Sequence, residues 1–504
     1  MHFPFLSVIV FTPITASLII LLIPAQKKDV VRSIALTAAA FDLLLSLWVY
    51  VQYLTQHLIG YQFVEQYNWL PQLGISLHFG VDGISTPLIL LTGVVMFTGV
   101  LISWGEDHSH VQAGIQDRPR EFFAFLFILA SGVFGVFASL DLFMLFFFYE
   151  IAVFPMYLLI AIWGWVQTRE YAAMKLTLYL FLGSVVALVG ALAMYWVAGQ
   201  ITGTYTFDML QLEKAGFSAA FQNVWFLPVF FGFAVLGGIW PFHNWSPDGH
   251  VAAPTAVSMF HAGVLMKLGA FAALRVGIML LPEGAKHWSW LIMLCAAVAV
   301  VYGALIAFVQ TDFKYVIGFS SVSHMGLVML GLSTLSREGL TGAGVQMFSH
   351  GVMTALFFAV VGMVYDRAHT RHIPDLGGMA KIMPWPAVGF IIGSLVSMGM
   401  PGFSGFIAEF PIFLGVWKTQ WLVAVIASLS IIITAAYVML VVRRVFFGQM
   451  PEKLEGHVGP VTPLDKVAIT TLCGLMIGIG LFPVIMVPMV QTGVNNILRL
   501  LGAA

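Results

Sequence analysis

Long apolar runs separated by short polar breaks fill the chain from end to end. About 20 consecutive apolar residues carry an α-helix across the hydrocarbon of a bilayer. Fourteen windows meet that measure, near residues 5–25, 33–54, 81–104, 122–139, 141–163, 176–199, 222–243, 253–278, 288–309, 313–332, 342–365, 384–413, 421–446 and 467–490. The longest stretches between them, 55–80, 200–221 and 447–465, read as loops of ordinary size. The pattern predicts an all-α polytopic membrane protein of about 14 transmembrane helices with no separate soluble domain. The first window lacks a basic leader and is followed by many others, so it reads as a retained span.

Two windows break their own pattern. In GGIWPFHNWSPDGHVAAPTAVSMFHAGVLMKLGAF, residues 237–271, Gly237, Gly238 and Pro241 end regular hydrogen bonding inside an apolar run, and His243, His250, His261 and Lys267 follow. In MGMPGFSGFIAEFPIFLG a second Gly and Pro break precedes Glu409. Non-helical backbone at membrane depth persists only where it is buried in protein or lines a wet cavity, and broken helices of this kind build ion sites.

Of the 504 residues, 60% are apolar and 9% charged, which removes the chain from the soluble globular class. Short cytoplasmic loops carry the excess of Lys and Arg. With the N-terminus on the non-cytoplasmic side, loops holding 15 of the 22 such residues, among them Lys27, Arg118, Arg169, Lys314, Arg371 and Arg444, face the cytoplasm, so both termini are expected on the opposite side. Lys267 is left in mid-span.

A charge at the bilayer centre costs roughly 2.5–3.5 kcal/mol on insertion scales, so such residues are functional by default. Glu150, Lys267 and Glu409 are the clear cases, read as titrating steps of a proton path in preference to structural ion pairs, and Asp42 is a weaker one. Both glutamates are expected in the protein interior. Asp82 and Asp141 begin spans, where an acid caps free N–H groups. His324 and His350, taken alone, read as satisfied core histidines; five histidines in or beside the spans, ranged between a Lys and a Glu, make a proton relay. Lys267 is expected within reach of His243 or His261 and of His324. No i, i+4 ligand pair occurs and the histidines spread over four spans, which disfavours a metal site. Phe146, Phe147, Phe148 and the methionines read as packing or lipid-facing residues. Cys295 and Cys473 lie far apart in apolar runs, so no iron–sulfur or disulfide set is available and no redox cofactor is indicated in this chain. The formal charge of −1 with no basic run argues against nucleic acid, and Gly-rich patches such as 376–378 lack the Lys and Ser or Thr of a phosphate loop.

WPFHNWSPDGHVAAPT followed by HAGVLMKLGAF, with TDFKYVIGFSSVSHMG, QMFSHG, YDRAHT and MPGFSGFIAEF, resembles the M-type antiporter-like membrane subunits of NADH-quinone oxidoreductase, respiratory complex I, over essentially the whole chain. The resemblance implies two inverted five-helix repeats with discontinuous helices seven and twelve: residues 1–121 hold helices one to three, 122–278 the first repeat, 288–446 the second, and 447–504 a loop and helix fourteen. It places Glu150, Lys267, His324, His350 and Glu409 at family proton-path positions. It also implies partners: L-type and N-type antiporter-like subunits, and a redox arm that would hold the electron donor NADH or its equivalent, FMN, iron–sulfur clusters and quinone. The location implied is a bacterial inner membrane or equivalent energy-converting membrane. An acid at 409 favours the M type over relatives that carry Lys there. The chain departs from the pattern at helix seven, where the family's Lys, the partner of the helix-five Glu, falls on Leu236 and its first Pro on Gly238. Rival readings are a subunit of a multisubunit cation/proton antiporter or membrane-bound hydrogenase, a proton-inactive spacer of the membrane arm, and, last, a membrane enzyme acting on lipid, which lacks a paired nucleophile and base.

Overall fold

The computed structural model describes residues 3–56, 59–104, 115, 117–456 and 458–502. Among them twelve helices are long and apolar enough to cross a membrane. They are α1 (Phe5–Leu22), α2 (Lys28–Thr55), α3 (Ser85–Ile102), α4 (Pro119–Ala138), α5 (Leu142–Trp163), α6 (Arg169–Thr202), α9 (Thr255–Ile278), α10 (Pro282–Val309), α11 (Phe313–Ser333), α12 (Arg337–Ala368), α15 (Trp421–Phe446) and α16 (Pro463–Leu481). The other two expected spans are in pieces. The seventh is α7 (Ala219–Ala234) and α8 (Trp245–Ala252), separated by turns through Gly237 and Gly238; the twelfth is α13 (Pro384–Ser397) and α14 (Ser404–Thr419), separated at Gly399 and Gly402. Both breaks fall where Gly and Pro interrupt the apolar pattern.

Helices α9 and α12 are buried along their whole apolar windows and α3 and α11 nearly so, whereas α1, α2, α6 and α15 are mostly exposed. The four buried helices form a central wall and the others surround it. Where α9 passes the break of the seventh span, Gly269 lets two backbones meet: a Cβ on it would stand 2.2 Å from Gly237 N and 2.7 Å from Phe233 O. Backbone cannot give way as a flexible side chain can. Gly269→Ala should therefore cost about 1–3 kcal/mol or more, read as reduced assembly or a lower melting temperature of the membrane complex.

Two sequence expectations change. Residues 55–80, read as a plain loop, contain an antiparallel hairpin, β1 (Gln62–Leu70) and β2 (Ile75–Val81), closed through Gly74 in the left-handed region. Its strand β2 places His78 Nδ1 3.1 Å from Asp208 Oδ2. Burial by itself would raise the Asp208 carboxyl; His78 and the N–H groups of Leu210 and Gln211 outweigh it and hold the carboxyl below its ordinary range. The last span, expected over 467–490, ends at Leu481, and Val487–Leu500 forms a separate amphipathic helix, α17. Phe482 and Pro483 stop α16, because a residue before proline is pushed out of the helical region.

Asp141 caps α5 by accepting from Met144 N at 3.0 Å, and Asp82 accepts from Ile84 N and Ser85 N at the start of α3. Asp82 has a further task. Its Oδ2 lies 2.8 Å from Arg275 Nη1, both side chains being buried, so the far end of α9 is tied to the start of α3. Arg275→Ala leaves a buried carboxylate without its cation and should cost roughly 3–5 kcal/mol, again read in assembly and thermal stability.

Candidate functional site

The chemistry lies in the central wall between the two broken spans. Helix α8 ends at Ala252, and the carbonyls freed there are all taken up. His250 O accepts from Ser258 Oγ at 2.8 Å, Val251 O from Arg371 Nη1 at 3.0 Å, Ala252 O from Trp165 N at 2.7 Å and Ala253 O from Lys314 Nζ at 2.8 Å. Two of these donors are cations at a helix C-terminus, where the dipole favours them. Arg371 is itself fixed by Asp312 Oδ2 at 2.6 Å and by the face of Trp165. The break is thereby held as a defined structure, and with it the placement of His250.

From that end a row of buried ionisable groups runs across the wall. His250 Nε2 is 2.9 Å from Ser246 Oγ, and its ring centre is 4.1 Å from that of His261, which in turn stacks on Trp245. Lys267, wholly buried, donates to the carbonyl of Ala262. That carbonyl belongs to a π-helical turn, His261–Leu265, and a second such turn, Ala273–Ile278, follows Lys267 on the same helix. π-Turns shift the hydrogen-bond register and recur at functional sites.

His350 on α12 is buried beside the π-helical turn of α9, where a Cβ on Gly263 would stand 3.1 Å from the carbonyl of the next residue, Gly351. Its ring centre is 5.4 Å from that of His324. His324 Nδ1 is 3.1 Å from Glu409 Oε1, and its Nε2 is 2.9 Å from Ser397 Oγ, the last helical residue before the break. Gln346 Nε2 donates to the same Glu409 oxygen at 3.2 Å. The other Glu409 oxygen faces Gly399, where an added Cβ would stand 3.0 Å from it and where φ is +66°. Glycine at that position serves both the left-handed turn and the room for the carboxylate.

Both ring nitrogens of His261 and of His350, and Nδ1 of His250, have no protein hydrogen-bond partner in the structure. Buried imidazole nitrogens of this kind call for water, and a row of imidazoles bridged by water can pass a proton in either direction. Among the described residues no three His, Cys, Asp or Glu side chains gather as metal ligands.

The sequence-derived residues divide. Lys267, His261, His324, His350 and Glu409 fall in the row. His243 is buried and packs against Tyr302 on α10, with Lys175 within electrostatic range. Lys175 in turn pairs with Asp248 at 2.7 Å, and Tyr315 donates to the same carboxylate at 3.0 Å.

Glu150 corrects the expectation of an interior carboxylate. It is exposed on the outside of the single chain, in a stripe of α5 with Phe147, 45% exposed, and Phe154, 65% exposed. These positions, three and four residues apart, share one helix face, and that face points away from the wall. The nearest polar neighbour of Glu150 is Ser184 on α6. Leu236, where a lysine was expected, is fully buried, one residue from Val235, which packs against Gly183 of α6.

Sequence reasoning did not single out Gln346, Ser246, Ser397, Lys314 or Arg371. A signal existed for some of them. Gln346 stands four residues before His350 and Lys314 ten before His324, within the segments that already carried the histidines.

Paired broken helices around a buried row of histidines, a lysine and a glutamate define the antiporter-like class of ion-translocating membrane subunits. The profile of the family described as NADH:quinone oxidoreductase/Mrp antiporter, TM, matches residues 139–434, and the chain belongs to that family. It is 35% identical over 506 residues to NADH-quinone oxidoreductase subunit M of Rhodobacter capsulatus, covering 98% of this chain and 96% of that one. A chain of respiratory complex I from Thermus thermophilus with bound NADH superposes with a TM-score of 0.88 at 27% identity, covering 99% of this chain and all of that one. A chain of the Mrp complex from Dietzia sp. DQ12-45-1b shares the fold, with a TM-score of 0.86 at 20% identity over 99% and 98% of the two chains.

Proposed function

We propose that the chain moves protons across an energy-converting membrane as the M-type subunit of a complex I-type NADH-quinone oxidoreductase, driven by redox chemistry in partner subunits. The observation that carries this is the buried set of His250, His261, Lys267, His350, His324 and Glu409 between the two breaks, with imidazole nitrogens left for water. In this reading Lys267 holds and releases the proton at the centre, the histidines and their waters relay it, and Glu409 passes it on at the second break. Lys314 and Arg371 hold the first break in place.

NADH or another donor, FMN, iron–sulfur clusters and quinone belong to the redox arm, and neighbouring antiporter-like subunits cover the sides of this one. The stripe of Phe147, Glu150 and Phe154 is the face for such a neighbour, because a carboxylate at mid-membrane depth needs a polar partner that lipid does not supply. Both termini lie on the non-cytoplasmic side, from the Lys and Arg bias of the loops.

Glu150→Gln should weaken assembly with the neighbouring subunit and leave proton transfer through the buried row unchanged, since Glu150 is no part of it. Assembly measured beside pumping checks this: slower pumping with assembly intact would place Glu150 in the proton path. The shared fold with an Mrp complex favours a second reading, a subunit of a cation/proton antiporter. Purification with its native partners separates the two, because a redox arm comes with the first and is missing from the second.

A further inference from the structure

Asp42 stands outside the row and outside both halves that hold the broken spans. It lies near the middle of α2, flanked by Phe41 and Leu44, which are exposed at 44% and 64%, while its own side chain is fully buried. The carboxyl therefore points into the bundle at mid-membrane depth. Neither of its oxygens has a hydrogen-bond partner among the described residues, and the hydroxyl of Ser46, one turn further along the same face, has none either. Close packing leaves little room at this level: a Cβ on Gly93 of α3 would stand 3.2 Å from Leu43 Cα and from Ser46 Oγ.

Among the described residues no charged group on the packed elements reaches it. Helices α1 and α3 carry none. On α4 the charges are Arg120 and Glu121 in the first turn, with Arg120 donating to Ile23 O beyond the far end of α1. Glu65 of the hairpin is held at the opposite end of α1 by the N–H groups of Leu6 and Ser7. On α2 itself Lys28, Asp29 and Arg32 lie ten or more residues away, about 15 Å along the axis, and the Tyr50 hydroxyl, about 12 Å away, donates to Ile485 O. An unpaired carboxylate in such a place is far costlier than the neutral acid.

We propose that Asp42 is a second proton-binding site of this chain, holding its proton at neutral pH and taking no part in the transport row. The neutral acid has an O–H to donate, and the unpartnered Ser46 hydroxyl is its nearest candidate on the same helix face. Helix α3, packed on one side against α2 and on the other against α9 and α12, stands between this site and Lys267.

The test is infrared spectroscopy of the whole membrane complex, together with protons pumped per electron, for wild type, Asp42→Asn and Asp42→Glu. The expected result is a protonated-carboxyl C=O band at neutral pH that the asparagine variant lacks and the glutamate variant shifts, with pumping per electron unchanged in both. If Asp42→Asn does not assemble, Asp42→Glu decides by the shift of the band. A protonated-carboxyl region that is the same in every variant, or a loss from the carboxylate region instead, overturns the protonated site. A fall in protons per electron with the band lost places Asp42 in the transport path and overturns its independence.

Discussion

Glu409→Gln should leave the complex assembled and slow proton transfer through this chain by about 10²-fold or more, the scale on which a positioned acid or base contributes. Glutamine has nearly the same shape, can still accept from Gln346 Nε2, and fits beside Gly399, so packing is preserved. What it removes is the one acid that faces His324 Nδ1 at 3.1 Å. His324 keeps Ser397 on its other nitrogen and so stays in place without an acceptor for its proton. Proton uptake in vesicles, measured beside electron-transfer rate, reads the effect. Equal pumping in the variant would make Glu409 a structural partner of His324.

The second large effect concerns the buried leucine at the first break. Leu236→Lys places a cation one residue from Val235, whose side chain meets Gly183 of α6, and Ser184, the next residue of α6, is a polar neighbour of Glu150. With Glu150 charged, the new lysine has a partner within the same group of helices. With Glu150→Gln it is an isolated charge costing roughly 2.5–3.5 kcal/mol. The single variant should therefore assemble and the double variant should fall well below both singles, a coupling that thermal stability and yield report. Equal assembly of Leu236→Lys in the two backgrounds would show that the positions are not linked, and that Glu150 answers only to the neighbouring subunit.

Much of this architecture was legible in the apolar pattern, because lipid imposes length and continuity on every span. The two breaks announced themselves through Gly237, Gly238 and Pro241 and through the glycines around Pro401, and the structure breaks the helices at those places. Lys267 and Glu409 stood out for the same reason, since ionisable groups are costly in hydrocarbon, and both are buried in the wall. Burial of Glu150 was a different matter. A sequence tells that an acid lies at mid-membrane depth, not whether its helix face turns inward or toward another subunit, and in this chain it turns outward with Phe147 and Phe154. Of the two histidines the sequence offered beside Lys267, His261 lies on the same helix as the lysine, while His243 packs against Tyr302. The hairpin at 62–81 was missed although alternating runs flank PQLG, a signal of turn and strands that the surrounding hydropathy obscured. Of the partners of the carbonyls around Ala252, Ser258 is local, while Trp165, Lys314 and Arg371 come from three remote segments, and nothing in the sequence near Ala252 points to them.

The central claim is that protons cross this chain through its own buried row, and Lys267 is the residue that row cannot do without. Among the described residues it makes no ion pair, and its hydrogen bond is to the carbonyl of Ala262. The most direct measurement is protons pumped per electron in vesicles carrying the complex with Lys267→Ala, assembly and quinone reduction being followed in the same preparation. The expected result is an assembled complex with fewer protons moved per electron than wild type; the same number in both, with assembly intact, would contradict the account.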